Sequence, residues 1–194
     1  MKLETYQFKT KPYDHQYKTL EQSYDQDNYA LFLEMGLGKS KILIDNIGIL
    51  FQAKKISGVV IVAPKGVLDN WSINEIERHL PDDIAREVLV WQPNHTQRWI
   101  RDYRKMVDED STGTLNIFLV NVEAFATVKG CKFVEEFLHT HDCMLAVDES
   151  TTIKKPKAKS TKNLTALPPP ATDPRHCTVL PMPPAPTVRL CRCS

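Results

Sequence analysis

The sequence predicts an α/β domain, a mostly parallel β-sheet flanked by helices in three layers, and three observations carry that reading. Short apolar runs recur at 29–33 (YALFL), 58–64 (GVVIVAP), 87–91 (EVLVW), 116–121 (NIFLVN) and 143–149 (CMLAVDE). They are apolar almost continuously instead of alternating, as strands covered on both faces are. Longer amphipathic stretches lie between them, and alternation of strand with helix marks a parallel sheet. A glycine-bearing turn, Glu34 to Ser40, follows the first run, at the kind of strand-to-helix junction where open parallel sheets bind ligands.

The amphipathic stretches follow in order. The one at 39–55 (KSKILIDNIGILFQAKK) puts Ile42, Ile49 and Ala53 at helical spacing, and the one at 66–80 (GVLDNWSINEIERHL) does so with Val67, Trp71 and Ile76. Trp71, on the face of Val67, reads as a core residue. A third helix is expected within 94–110 (NHTQRWIRDYRKMVDED). At 194 residues the chain can hold one domain with a sizeable core, expected over 1–163.

From Thr165 the character changes. Residues 165–194 hold eight prolines, no glycine, no isoleucine, no Phe, Tyr or Trp and a single acid. Proline removes backbone donors and breaks helices, so 164–194 is expected to be an irregular or disordered tail that cannot continue the sheet. Such a restricted alphabet suits a frameshifted or truncated reading, and a genuine proline-rich tail is the alternative.

Composition narrows the class without naming a partner. Hydrophobic residues at 42% and charged residues at 25% exclude a disordered or fibrous chain. A net charge of +1 supplies no global field toward nucleic acid, so any basic surface must come from local clusters. No run reaches the roughly 18 apolar residues of a membrane span, and the start lacks an apolar signal region. Five scattered cysteines without a CxxC pair fit reduced thiols. The expectation is a cytoplasmic protein, neither secreted nor membrane-bound.

The turn after the first run carries the chemistry. In LFLEMGLGKS, Gly36 and Gly38 let backbone N–H groups of Met35 to Lys39 turn toward phosphate oxygens, and the following helix adds its positive dipole end. Lys39 can then reach the outer phosphates and Ser40 can offer its hydroxyl to Mg²⁺. The full phosphate-loop pattern places glycine where Leu33 stands, so a tight strand-to-helix turn with a solvated lysine is the alternative on this stretch alone. The last apolar run ends in Asp148 and Glu149, suited to holding Mg²⁺ through water and to acting as general base on the attacking water, respectively.

The blocks KPYDHQ, MGLGKS, VVIVAPKGVLDNW, LVNVEAF and LAVDESTTIKKPKAKSTK, in that order over residues 8–163, resemble the first RecA-like domain of superfamily II helicases, most closely the Swi/Snf-type translocases, with many phage and bacterial members. The resemblance implies ATP and Mg²⁺ as cofactors, with Met35, Gly36, Leu37, Gly38, Lys39 and Ser40 forming the phosphate loop. It also implies Gln16 on the adenine edge beside Lys11, Pro12 and Tyr13, with Asp148 and Ser40 on the metal and Glu149 and Lys39 as catalytic groups. Nucleic acid, double-stranded DNA in particular, is the implied partner. Lys65 is its natural phosphate contact, Asn121 and Glu123 are further candidates, and a helix-capping turn is the alternative for these two. Lys154 and Lys155, in a run with Lys157, Lys159 and Lys162, fit either the DNA path or a solvated face.

Two departures stand out. Ser150 and Thr151 replace the alanine and histidine common after Asp-Glu, and the tail reads TVLPMPPAP where the family has a strand ending in serine or threonine, glycine, threonine, proline. The second RecA-like lobe with its arginine finger is not in this sequence. The reading is therefore the ATP-binding first lobe of a DNA-dependent translocase, in a bacterial or phage-infected cell. The alternative is a non-catalytic nucleotide- or DNA-binding remnant. An isolated first lobe is expected to bind ATP weakly, with little DNA-stimulated hydrolysis.

Overall fold

The computed structural model describes residues 3–26, 28–31, 33–34, 36–108, 113–148, 160, 163 and 177–179. Their strands are β1 (Asn28–Ala30), β2 (Gly58–Ala63), β3 (Arg86–Val90), β4 (Leu115–Asn121), β5 (Cys143–Val147) and β6 (Cys177–Val179). They form one sheet in the order β1-β6-β5-β2-β4-β3, and every pairing is parallel. The helices are α1 (Asp14–Ser23), α2 (Lys39–Gln52), α3 (Leu68–Asn70), α4 (Ile76–His79), α5 (Gln97–Met106) and α6 (Val128–Thr140). This is the expected three-layer α/β fold.

The central runs became strands with both faces covered, whereas the edge strand β3 is half-buried along its length. All residues of β2 and β4 are buried. Val59, Ile61, Ala63, Ile117 and Leu119 pack with Leu20, Ile42, Ile49 and Trp71 on the face of α1 and α2. Their neighbours Val60, Val62, Phe118 and Val120 pack with Trp99, Tyr103 and Phe137 on the face of α5 and α6. At about 1.5–3 kcal/mol for each large side chain taken out of water, these two layers dominate the stability.

Local chemistry sets the helix ends. Thr96 accepts from the N–H of Trp99 at the start of α5, and Thr127 accepts from that of Gly130 at the start of α6. Helix α6 was not among the amphipathic stretches expected from the sequence, although Val134, Phe137 and Leu138 recur at helical spacing on its buried side. At the end of α2, Lys54 sits in the left-handed region at φ 56°. Lys54 N–H donates to Phe51 O and Lys55 N–H to Leu50 O, a Schellman closure that usually recruits glycine.

Between α3 and α4 lies a π turn, Trp71–Glu75, in which Ile76 N–H reaches back five residues to Trp71 O. Leu68, Trp71, Ile76 and Leu80 are all buried, and the step of five between Trp71 and Ile76 is the one the extra residue accommodates.

Two expectations need correction. The first strand is shorter than YALFL, because the chain leaves the ladder after Ala30 on its way into the glycine turn. The tail was expected to be unable to continue the sheet, yet Cys177–Val179 pairs with β1 on one side and β5 on the other. These three residues contain no proline, so they retain the donors a ladder needs. Among the described residues no helix is long and apolar enough to cross a membrane.

Candidate functional site

The glycine turn leads from the carboxyl end of β1 into α2. Gly36 at φ 82° and Gly38 at φ 76° occupy the left-handed region that side chains disfavour. The two glycines serve different neighbours. A Cβ on Gly36 would meet nothing within 4 Å, whereas one on Gly38 would fall 2.2 Å from Gln16 Nε2. Gly36 thus keeps the loop open outward, and Gly38 lets α1 close against it.

The loop is tied to α1 and to its own start. Gln16 Nε2 donates to Leu37 O at 3.2 Å, and His15 Nε2 lies 3.2 Å from the same oxygen. Gln16 is buried, and its Oε1 accepts from Tyr13 N–H at 3.0 Å. Lys39 Nζ donates to Leu33 O at 3.1 Å and to Glu34 O at 3.0 Å. Neutral carbonyls are weaker partners for an ammonium group than phosphate oxygens, so an anion in the loop would compete well for Lys39. Ser40, half-buried in the first turn of α2, follows directly.

Asp148 leaves the carboxyl end of β5. Its N–H extends the ladder to Val62 O at 2.7 Å, and its Oδ2 accepts from Trp71 Nε1 at 2.8 Å. Ala30 and Val147 both stand opposite Val179 in register. Two strand spacings therefore separate the start of the glycine turn from Asp148, about 10 Å.

The remaining expected site residues distribute unevenly. Lys65 is exposed in the 3₁₀ turn Lys65–Val67 after β2. Asn121 ends β4 opposite Ala63, but its side chain is buried and accepts from Ala124 N–H at 3.2 Å. The structure gives Asn121 the capping alternative. Glu123 is exposed in the turn that follows. Tyr13 is exposed and stacks on His15, while Lys11 and Pro12 line a groove with Phe8, Tyr17 and Lys18 on the outer side of α1. Met35, Glu149, Lys154 and Lys155, with Ser150, Thr151, Lys157, Lys159 and Lys162, lie outside the described residues.

Three features of this region were not foreseen. His15 joins Gln16 on Leu37, Trp71 holds Asp148, and a buried ion pair lies beneath the loop. Lys41 Nζ meets Asp45 Oδ2 at 2.6 Å, with side chains 6% and 1% exposed, one turn along α2. Burial pushes the Asp45 carboxyl up to about 6, although Lys41 pulls the other way. Burial also lowers His79 to about 4, helped by the charges of Lys41 and Arg78. The i,i+4 spacing of Lys41 and Asp45 was readable in the sequence; their burial was not.

Comparison with known proteins agrees with this architecture. No curated protein matches the chain. A solved Sulfolobus solfataricus SWI2/SNF2 ATPase core in complex with dsDNA superposes with a TM-score of 0.67 at 20% identity, covering 94% of this chain and 34% of that one. The likeness establishes the fold, and this chain spans about a third of that core's length. The family model of the SNF2-related domain matches residues 15–171, most of the chain and all of the strands β1 to β5. The chain belongs to the SNF2-related domain family.

Proposed function

We propose that this chain is the ATP-binding first lobe of a DNA-dependent translocase, which couples ATP hydrolysis to movement along double-stranded DNA. The observation that carries the reading is the alignment of groups along one sheet edge. The glycine turn after β1, Asp148 after β5 and Lys65 after β2 all leave carboxyl ends of parallel strands, in a sheet where β5 and β2 are direct neighbours.

The residues present suit Mg²⁺ and ATP. Ser40 and Asp148 offer hard oxygen donors of the kind Mg²⁺ takes, and the open space beside Gly36 lets a phosphate approach the backbone of the turn. When bound, Mg²⁺ balances the charge that develops on the phosphates. Lys39 moves from Leu33 O and Glu34 O onto the outer phosphates, Gln16 anchors the loop from α1 with an amide hydrogen to spare for a base edge, and Glu149 takes the proton of the attacking water. Lys65 neutralises a backbone phosphate of the DNA, which adds affinity without reading sequence.

Calorimetry on Lys39→Ala tests the nucleotide site. Most ATP affinity should vanish with the melting temperature unchanged, and equal affinity in both proteins would sink the assignment. For DNA, Lys65→Ala should reduce the slope of log affinity against log salt by about one. An unchanged slope removes Lys65 from the interface.

A further inference from the structure

The indole of Trp71 makes an unusual choice of partner for a core tryptophan. Trp99, equally enclosed on the other face of the sheet, sends its N–H to a backbone carbonyl nine residues away, Val90 O at 2.8 Å. Trp71 instead sends its N–H to a carboxylate 77 residues away, Asp148 Oδ2 at 2.8 Å. The ring is 1% exposed within the cluster beneath α2, so it has no room to turn aside. An indole can only donate, and a donor held rigidly beside a carboxylate sets which way its oxygens point.

The π turn is part of the same device. It begins at Trp71, and the five-residue hydrogen bond from Ile76 to Trp71 O lets Trp71 and Ile76 bury on one face. Deleting one residue from this turn would rotate the following helix by about 100° relative to Trp71. The ring could then keep its place only at the expense of Ile76 and Leu80. The irregularity thus lets the indole stand against the end of β5 while α4 still packs.

We propose that Trp71 is a positioning residue of the nucleotide site, its indole N–H fixing the Asp148 carboxylate in the orientation that receives the divalent cation carried by ATP. The proposal rests on the assignment of Asp148 to Mg²⁺ above. Partners that orient metal-binding carboxylates typically change metal affinity 10- to 100-fold when removed.

The test uses the whole 194-residue chain with Mn²⁺ and ATP as probes. Trp71→Phe keeps an aromatic ring and removes the donor. ATP affinity in the presence of EDTA should match wild type, while the Mn²⁺ affinity of the ATP-loaded protein, read from the EPR signal of free Mn²⁺, should fall about tenfold. Asp148→Ala should lose as much, and the double variant little more, because the two residues act through one carboxylate. Unchanged Mn²⁺ affinity in Trp71→Phe beside a loss in Asp148→Ala overturns the positioning role and leaves the metal assignment standing. Unchanged affinity in Asp148→Ala overturns both. A wild-type readout covers the case of a misfolded variant. With ¹⁵N-labelled indoles, assigned through Trp91→Phe and Trp99→Phe, Mn²⁺–ATP should broaden the Trp71 N–H far more than the other two, and an unbroadened Trp71 signal sinks the proposal.

Discussion

The two faces of the sheet differ in where several of their polar side chains end. Beneath α5 and α6 three tips end on backbone: Trp99 Nε1 on Val90 O, Tyr103 Oη on Phe133 O at 2.7 Å, and His141 Nε2 beside Met106 O at 2.9 Å, while His141 Nδ1 lies 3.3 Å from Ser57 Oγ. Rings do the packing there, with Trp99 stacked on Tyr103 at 5.5 Å and on His95 at 4.0 Å. Beneath α2 three polar groups meet other side chains, Lys41 with Asp45, Trp71 with Asp148 and His79 with Thr10 at 2.7 Å, while Gln16 ends on backbone. Side-chain partners tie together segments far apart in sequence, as Trp71 does with Asp148, and place charge in the core, as Lys41 and Asp45 do. The face that carries these pairs is the one that lies under the glycine turn.

The largest expected effect is on the scaffold face. Phe118→Ala should cost about 3–5 kcal/mol in urea unfolding, since the ring is fully buried against Trp99, Tyr103 and Phe137. A cost below about 1 kcal/mol would show that the rings are not what holds this face together.

Next comes the ion pair. Asp45→Ala strands the Lys41 ammonium in the core and should cost about 3 kcal/mol, whereas Lys41→Met with Asp45→Leu should be near neutral, because removing both charges also removes their desolvation. If the double variant is as unstable as the single one, the pair is a net source of stability, and the contrast between the faces weakens.

The pH dependence sharpens the comparison further, with smaller changes. His79, His95 and His141 are all lowered, chiefly by burial. Their contribution is present above pH 6.5 and is lost as pH falls toward their folded values, about 4 for His79. Asp45, raised from 3.8 to about 6, has the opposite sign, because its favourable term grows as pH falls through 6. Stability should therefore drop between pH 7 and pH 5, and the drop should be steeper in Asp45→Asn. An identical profile would mean that Asp45 does not titrate in that window.

The smallest effect tests the end of α2. Lys54→Gly relieves the left-handed backbone and should gain about 1 kcal/mol in the urea midpoint analysis. A loss would mean that the Lys54 stem packs more than it strains.

Legibility in the sequence followed the range of the interactions. The central apolar runs were readable because burial on both faces, complete in β2 and β4, writes itself as continuous hydrophobicity, and the glycine turn because backbone geometry dictates residue type at Gly36 and Gly38. Helix α6 carries Val134, Phe137 and Leu138 at helical spacing and was within reach, whereas the π turn hid inside a plausible period, since Val67, Trp71 and Ile76 satisfy the eye at steps of four and five. Strand β6 was missed because three residues in a proline-rich segment carry no pattern of their own. The contact of Trp71 with Asp148 was beyond reach, for a tryptophan read as core keeps its N–H out of sight and its partner lies 77 positions on.

The position of β6 has a consequence in time. Among the described residues β1 pairs with β6 alone, so the strand that launches the glycine turn joins the rest of the sheet only through residues near 179. On a ribosome moving at about 5–20 residues per second, the roughly 150 residues between Ala30 and Val179 take on the order of 7 to 30 s. β2 to β5 are complete by Val147, so over the last roughly 30 residues of that interval they can assemble while β1 has not yet met β6. Chaperones and proteases would meet a domain whose scaffold is finished before its glycine turn has a floor.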